Sequence, residues 1–242
     1  IIVEGILTDE VKSHEIKLSF PARELNDTTI PVSGALVILK DDDSSWTLTE
    51  LPQSPGVYAT KKEFSGKVGK EYTLLIKAKD FYVTAKSEML PSSSFTTLIS
   101  YTKNSHNDLY HFTRVIDIFN PNEEFMWEIT LDWSSAPGYS DADPEDCKMK
   151  LYYYTLSTLD ITQIFSSAGE DIEFPAYTVI TQKKYSLTPE FAEYLRGLLL
   201  ETTWKGGLFG TASANLASNI SGHGAGFFAA CSVKEISLTV SP

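Results

Sequence analysis

The stretch that most constrains this chain is its last quarter, where a capped amphipathic segment, a glycine-rich crossing and one long alternating run follow one another. Ser186-Leu187-Thr188-Pro189-Glu190 sets Thr188 where an N-cap belongs and Pro189 at the first helical position, where a missing N–H leaves nothing unsatisfied. Phe191, Tyr194, Leu195, Leu198 and Leu199 then recur at three- and four-residue spacing, which predicts a helix over 188–204 that stops at Gly206 and Gly207. After the Gly- and Asn-containing run 206–226, residues 227–240 alternate as in a half-buried strand. Their apolar positions are odd at Phe227, Ala229, Cys231 and Val233 but even at Ile236, Leu238 and Val240. One residue must be absorbed between the two sets, so a bulge or an exchange of faces is expected near Lys234-Glu235. A one-sided helix and a long strand need a sheet to cover.

The preceding sequence supplies strands. Residues 1–7 and 14–20 read as extended, the second placing His14, Ile16, Leu18 and Phe20 on one face. An apolar run over 36–39, a solvated turn over 40–45 and a return strand over 46–51 follow. Beyond Pro55-Gly56 comes 57–59, and past Gly66 and Gly69 the alternation of Tyr72, Leu74, Ile76 and Ala78. Short strands separated by turn residues imply an immunoglobulin-like or transthyretin-like β-sandwich over 1–90. Leu90-Pro91-Ser92-Ser93-Ser94 marks the boundary. A second β series reads over 95–101, 109–119, 125–133, 148–156 and 176–185, with a turn at Asn120-Pro121-Asn122-Glu123 and one helical turn after Asp160. Its clearest member puts Phe125, Trp127, Ile129, Leu131 and Trp133 on one face. The expected fold is therefore mainly β, with 91–242 an antiparallel β-sandwich or half-barrel carrying the helix 188–204 and the closing strand 227–240.

Function classes narrow more slowly. A net charge of −12 and a pI near 4.8 argue against nucleic-acid binding, which needs a basic surface. No run approaches the roughly 18 apolar residues of a membrane helix. Ile1-Ile2-Val3-Glu4-Gly5 reads as a strand with no basic leader, so a targeting signal is expected to be lacking or already removed. Cys147 and Cys231 match no zinc or redox spacing; they could pair or differ in exposure, but separate buried thiols are the favoured reading over a disulfide. His14, His106, His111 and His223 fall in no metal-ligand spacing and in no nucleophile motif. The glycines at 206–207 and 222–226 do not open helices and so offer no amides to a phosphate.

Two acidic clusters and a set of aromatics remain as candidates. Asp41-Asp42-Asp43 reads as a solvated turn. Asp141, Asp143 and Asp146 alternate on a loop and are weak calcium candidates, although the central glycine and distal glutamate of the EF-hand are missing. Trp46, Trp133 and Tyr139 lie at or near loops, and of the consecutive Tyr152, Tyr153 and Tyr154 at least one must face outward. Trp46, Trp133, Tyr139, Tyr152 and Tyr154 are thus the candidate ligand-binding residues, since exposed rings stack on sugars or anchor partners. No catalytic residue is assigned, and no cofactor other than calcium is suggested. Paired carboxylates for glycan hydrolysis are a property of the fold, and no pair stands out.

Several motifs carry a resemblance spanning nearly the whole chain. Ile2-Val3-Glu4-Gly5, Ile16-Lys17-Leu18-Ser19, Pro31-Val32-Ser33-Gly34-Ala35, Pro55-Gly56-Val57-Tyr58 and Gly69-Lys70-Glu71-Tyr72-Thr73-Leu74 appear in order in the first half. Ser186-Leu187-Thr188, Asn219-Ile220 and Gly226-Phe227-Phe228-Ala229-Ala230 follow in the second. Together they resemble an uncharacterised bacterial lipoprotein family, domain of unknown function 4249. The resemblance implies an acylated cysteine upstream of the first strand, a place at the Gram-negative outer membrane and an association with TonB-dependent transporters. It supplies no catalytic residues, and Cys231 departs from it where the family tends to have an aromatic. The expectation is a non-catalytic envelope lipoprotein, a binding or accessory module touching the membrane only through its lipid. The alternatives are a carrier of a small apolar ligand or glycan in the second domain and, less favoured, a glycan hydrolase.

Overall fold

The structure is a computed structural model that describes residues 1–21, 29–96, 98–115, 123–156, 172–203 and 216–242. In chain order its strands are β1 (Ile2–Thr8), β2 (Glu15–Phe20), β3 (Ile30–Pro31), β4 (Leu36–Lys40), β5 (Ser45–Leu51), β6 (Ser54–Thr60), β7 (Glu71–Ala78), β8 (Phe81–Glu88), β9 (Ser100–Lys103), β10 (Tyr110–Arg114), β11 (Phe125–Asp132), β12 (Lys148–Thr155), β13 (Glu173–Phe174), β14 (Val179–Ser186), β15 (Ile220–Gly222), β16 (Ala225–Cys231) and β17 (Val233–Thr239). Between β14 and β15 lies the helix α1 (Pro189–Thr203), the one helix among the described residues. The chain divides into two units, one of Ile1–Pro91 with Ser186–Ser232 and one of Ser92–Tyr185 with Val233–Pro242.

The first unit is built on a ten-stranded sheet ordered β15-β8-β7-β4-β5-β6-β2-β1-β16, with β3 on β2. Period-two alternation sends Val3, Leu18, Val37, Leu39, Leu74, Ile76, Val83 and Phe228 into one core, all almost fully buried. β16 runs parallel to β1, from Ile2 opposite Ala225 to Thr8 opposite Cys231. Gly226 is needed there: its φ is 98°, and a Cβ on it would strike the backbone of Val3. The sheet then nearly closes on itself, its seam joined by side chains standing in for a backbone ladder. Asn219 Nδ2 donates to the Lys86 carbonyl at 2.8 Å and the Phe228 carbonyl at 2.6 Å, while its Oδ1 accepts from the Phe228 N–H at 3.1 Å. Ser87 Oγ accepts from the Ala230 N–H at 2.9 Å. Such closure removes the edges on which sheets aggregate.

The second unit holds a four-stranded sheet, β12-β11-β14-β17, and a three-stranded one, β13-β10-β9. The alternation in β11 buries Trp127, Ile129 and Leu131 completely, and the latter two join Ile99, Tyr110, Phe174, Ile180 and Val240 in a core. Lys184 also points inward, with 2% of its surface exposed. Its Nζ lies 4.0 Å from the centre of the Phe125 ring and 5.0 Å from that of Trp127, and donates to Ser93 Oγ at 3.0 Å.

A mainly β chain with one helix is what the sequence predicts, and Thr188 caps that helix: its Oγ1 accepts from the Phe191 N–H at 3.2 Å. The assignment of the elements along the chain differs. α1 and β16 belong to the first unit, so 91–242 is not one continuous β domain and 1–90 is not a self-contained sandwich. The closing run 227–240 is also two strands, and it changes sheet at Ser232, two residues before the expected irregularity. Ser232 is pinned there by the Ser186 N–H, which donates to its carbonyl at 3.0 Å, by Ser186 Oγ, which accepts from its N–H at 2.9 Å, and by Asp9, whose carboxylate takes its hydroxyl at 2.7 Å. The helical turn expected after Asp160, the glycine stop at 206–207 and the end of the strand expected over 109–119 lie outside the described residues.

Candidate functional site

At the head of α1 the first unit opens a cleft of about 380 Å³. Glu71 comes from the start of β7, Lys86, Ser87 and Glu88 from the end of β8, Thr188 to Glu190 from the capped turn, and Phe227 from β16. Glu71 and Glu88 stand directly opposite one another on neighbouring strands, a like-charge pair that costs stability unless a cation intervenes. Lys86 Nζ does so, donating to Glu71 Oε1 at 2.6 Å. That hydrogen bond, then the glutamate charge, holds the Lys86 ammonium above its ordinary pKa. Glu190 adds a third carboxylate, placed where the helix dipole favours it. Beneath the cleft Phe227 is buried, stacking on Phe191 at 4.8 Å between ring centres and tilted against Tyr194 at 5.1 Å. The arrangement offers hydrogen-bond acceptors in excess of cations over an aromatic floor.

The residues singled out from sequence do not converge on this cleft. Trp46 belongs to the first unit but is half-buried and stacked face to face on Phe64, with centres 4.1 Å apart and planes 8° apart. Trp133 is half-buried against the core of the second unit, and Tyr139 is half-buried in the turns that follow. On β12, Tyr152 is exposed and donates to Glu128 Oε2 at 3.1 Å, while Tyr154 is half-buried. Burial first, then the charge of Glu128, pushes the Tyr152 hydroxyl up to about 12, and burial alone raises Tyr154.

Asp141, Asp143 and Asp146 are all exposed, and Asp143 Oδ1 accepts from the Glu145 N–H at 3.0 Å as an ordinary turn does. Among the described residues no group of three or more His, Cys, Asp or Glu is placed to hold a metal ion, so the structure does not gather these carboxylates into a calcium shell. Cys147 and Cys231 are separate buried thiols, and burial drives the Cys231 thiol far up. Among the described residues no helix is long and apolar enough to cross a membrane.

Sequence reasoning missed Glu71, Lys86 and Glu88, because charges on the outward face of a strand look alike until the neighbouring element is known. The one local signal at the cleft is the Thr188 cap. A comparison with curated proteins finds no match. A family model does: the one described as Domain of unknown function (DUF4249) matches residues 1–237, and the chain belongs to that family.

Proposed function

We propose that this chain is a non-catalytic binding component of a Gram-negative cell envelope, an accessory to a TonB-dependent outer-membrane transporter, carried by lipid attached to a segment ahead of Ile1. The observation that carries the binding role is the cleft at the head of α1, where three carboxylates and one lysine surround a hollow of about 380 Å³ above a buried phenylalanine. Recognition sites are concave and combine an apolar base with a few convergent polar groups. The kinship with the family supports the compartment, and the acidic surface suits an exposed protein. One acyl chain holds a protein only marginally, so this reading calls for an anchor with more than one chain.

The test is a photo-crosslinking residue placed at Glu88, with irradiation of intact cells of the host. An adduct with an outer-membrane transporter is expected, weakened by Glu190→Lys. Adducts with no envelope protein at all would overturn the reading.

A further inference from the structure

Just ahead of β2, His14 is 2% exposed and one of its ring nitrogens has no partner. Nε2 lies 2.9 Å from the Phe64 carbonyl, so that nitrogen carries the proton and the orphan Nδ1 is a bare acceptor. The ring meets Phe64 edge-on, with centres 4.7 Å apart, and Phe64 in turn covers one face of the Trp46 indole.

Hydrogen bonds tie the segment bearing Phe64 to residues 8–14. The Phe64 N–H donates to the Lys12 carbonyl at 3.1 Å, Ser65 Oγ to the Asp9 carbonyl at 2.7 Å, and the Gly66 N–H to the Thr8 carbonyl at 3.0 Å. On the other side His14 is fixed to β6 by its N–H to Thr60 Oγ1 at 3.1 Å and by the Thr60 N–H to its carbonyl at 3.0 Å.

We propose that His14 is an acid-released latch that holds Phe64 over Trp46, and that its protonation frees residues 61–66 and bares the indole as a stacking surface for a planar or sugar ring. An imidazolium donates from both ring nitrogens, and the protein offers this ring one acceptor, the Phe64 carbonyl, so a second proton favours opening the segment to solvent. The charged groups near the ring do not supply the missing partner. Glu10 and Lys12 on its own segment are bound to each other at 2.6 Å, and Lys61, Lys62 and Glu63 on the opposing segment are exposed. From β6 the residue bonded to His14 is Thr60, and from β5 the residue stacked on Phe64 is Trp46, neither of them titratable in this range.

Burial, the largest effect, lowers the His14 pKa from 6.5; Lys12 acts the same way, and the bond to Phe64 and the charge of Glu10 oppose them. Because the folded value is the lower one, the stability His14 contributes is fully present above the unfolded value and is lost as the pH falls through the folded value.

The experiment is amide exchange and two-dimensional NMR on the whole chain, with the Trp46 indole signal assigned by Trp46→Phe. Between about pH 7.5 and pH 5, and after correction for intrinsic rates, the Phe64 amide is expected to exchange about tenfold faster. The Trp46 indole signal should move with the same midpoint as the His14 ring. In His14→Gln, which stays neutral, both changes should vanish. A His14 titration that leaves Phe64 and Trp46 unmoved, unequal midpoints, or an undiminished response in His14→Gln would each overturn the latch. The midpoint comparison uses the unaltered chain, so it decides the matter even if His14→Gln fails to fold. The cleft at α1 takes no part in it.

Discussion

Lys184 shows what single residues do in the second unit. Its stem and ammonium sit among Phe125, Trp127 and the Ser93 hydroxyl, which itself donates to Glu123 Oε2 at 3.0 Å, so the charge is housed by ring faces and a hydroxyl-bridged carboxylate. Lys184→Ala leaves a hollow and strands that network, and should cost about 3–5 kcal/mol. Lys184→Met keeps the volume and should cost less. Denaturant unfolding followed through Trp127 fluorescence checks both, and equal losses would show that the charge, not the packing, is what matters. At the surface, Glu128→Gln should bring the Tyr152 hydroxyl down from about 12 toward its ordinary value, though not all the way, since burial is the larger cause. An NMR titration of the Tyr152 ring reads this directly.

At the scale of elements, the parallel pair β1–β16 and the capped helix are the two joints of the first unit. Gly226→Ala forces a side chain into a left-handed conformation and against the backbone of Val3, and should lower stability by about 1–3 kcal/mol or more, read as a fall in melting temperature. Thr188→Ala removes the cap bond to Phe191 at a cost of about 1 kcal/mol. The two substitutions differ in legibility. The cap was readable because it is a local pattern, hydroxyl then proline then an apolar stripe. The constraint on Gly226 was not, since its cause is a strand more than two hundred residues away.

For the molecule as a whole, the division into units was the least legible feature. Alternation reports which face of a strand is buried, not which sheet it joins, so 227–240 read as one strand while Ser232 sends its halves to different sheets. The cleft was hidden for the same reason: β7, β8, α1 and β16 meet only in the fold. A fragment of residues 1–91 should therefore lack a cooperative thermal transition, because β1 loses β16 and the seam of β8 loses Asn219. A sharp melt by that fragment in calorimetry would show that the first eight strands suffice.

The pairing of Ile2 with Ala225 sets a timetable. As the chain is made, β1 must wait for more than two hundred further residues before its partner exists, and contacts so distant in sequence form slowly. During that delay an unpaired, apolar margin stands open, which makes the newborn chain a natural client for holding chaperones and ties its yield to their supply.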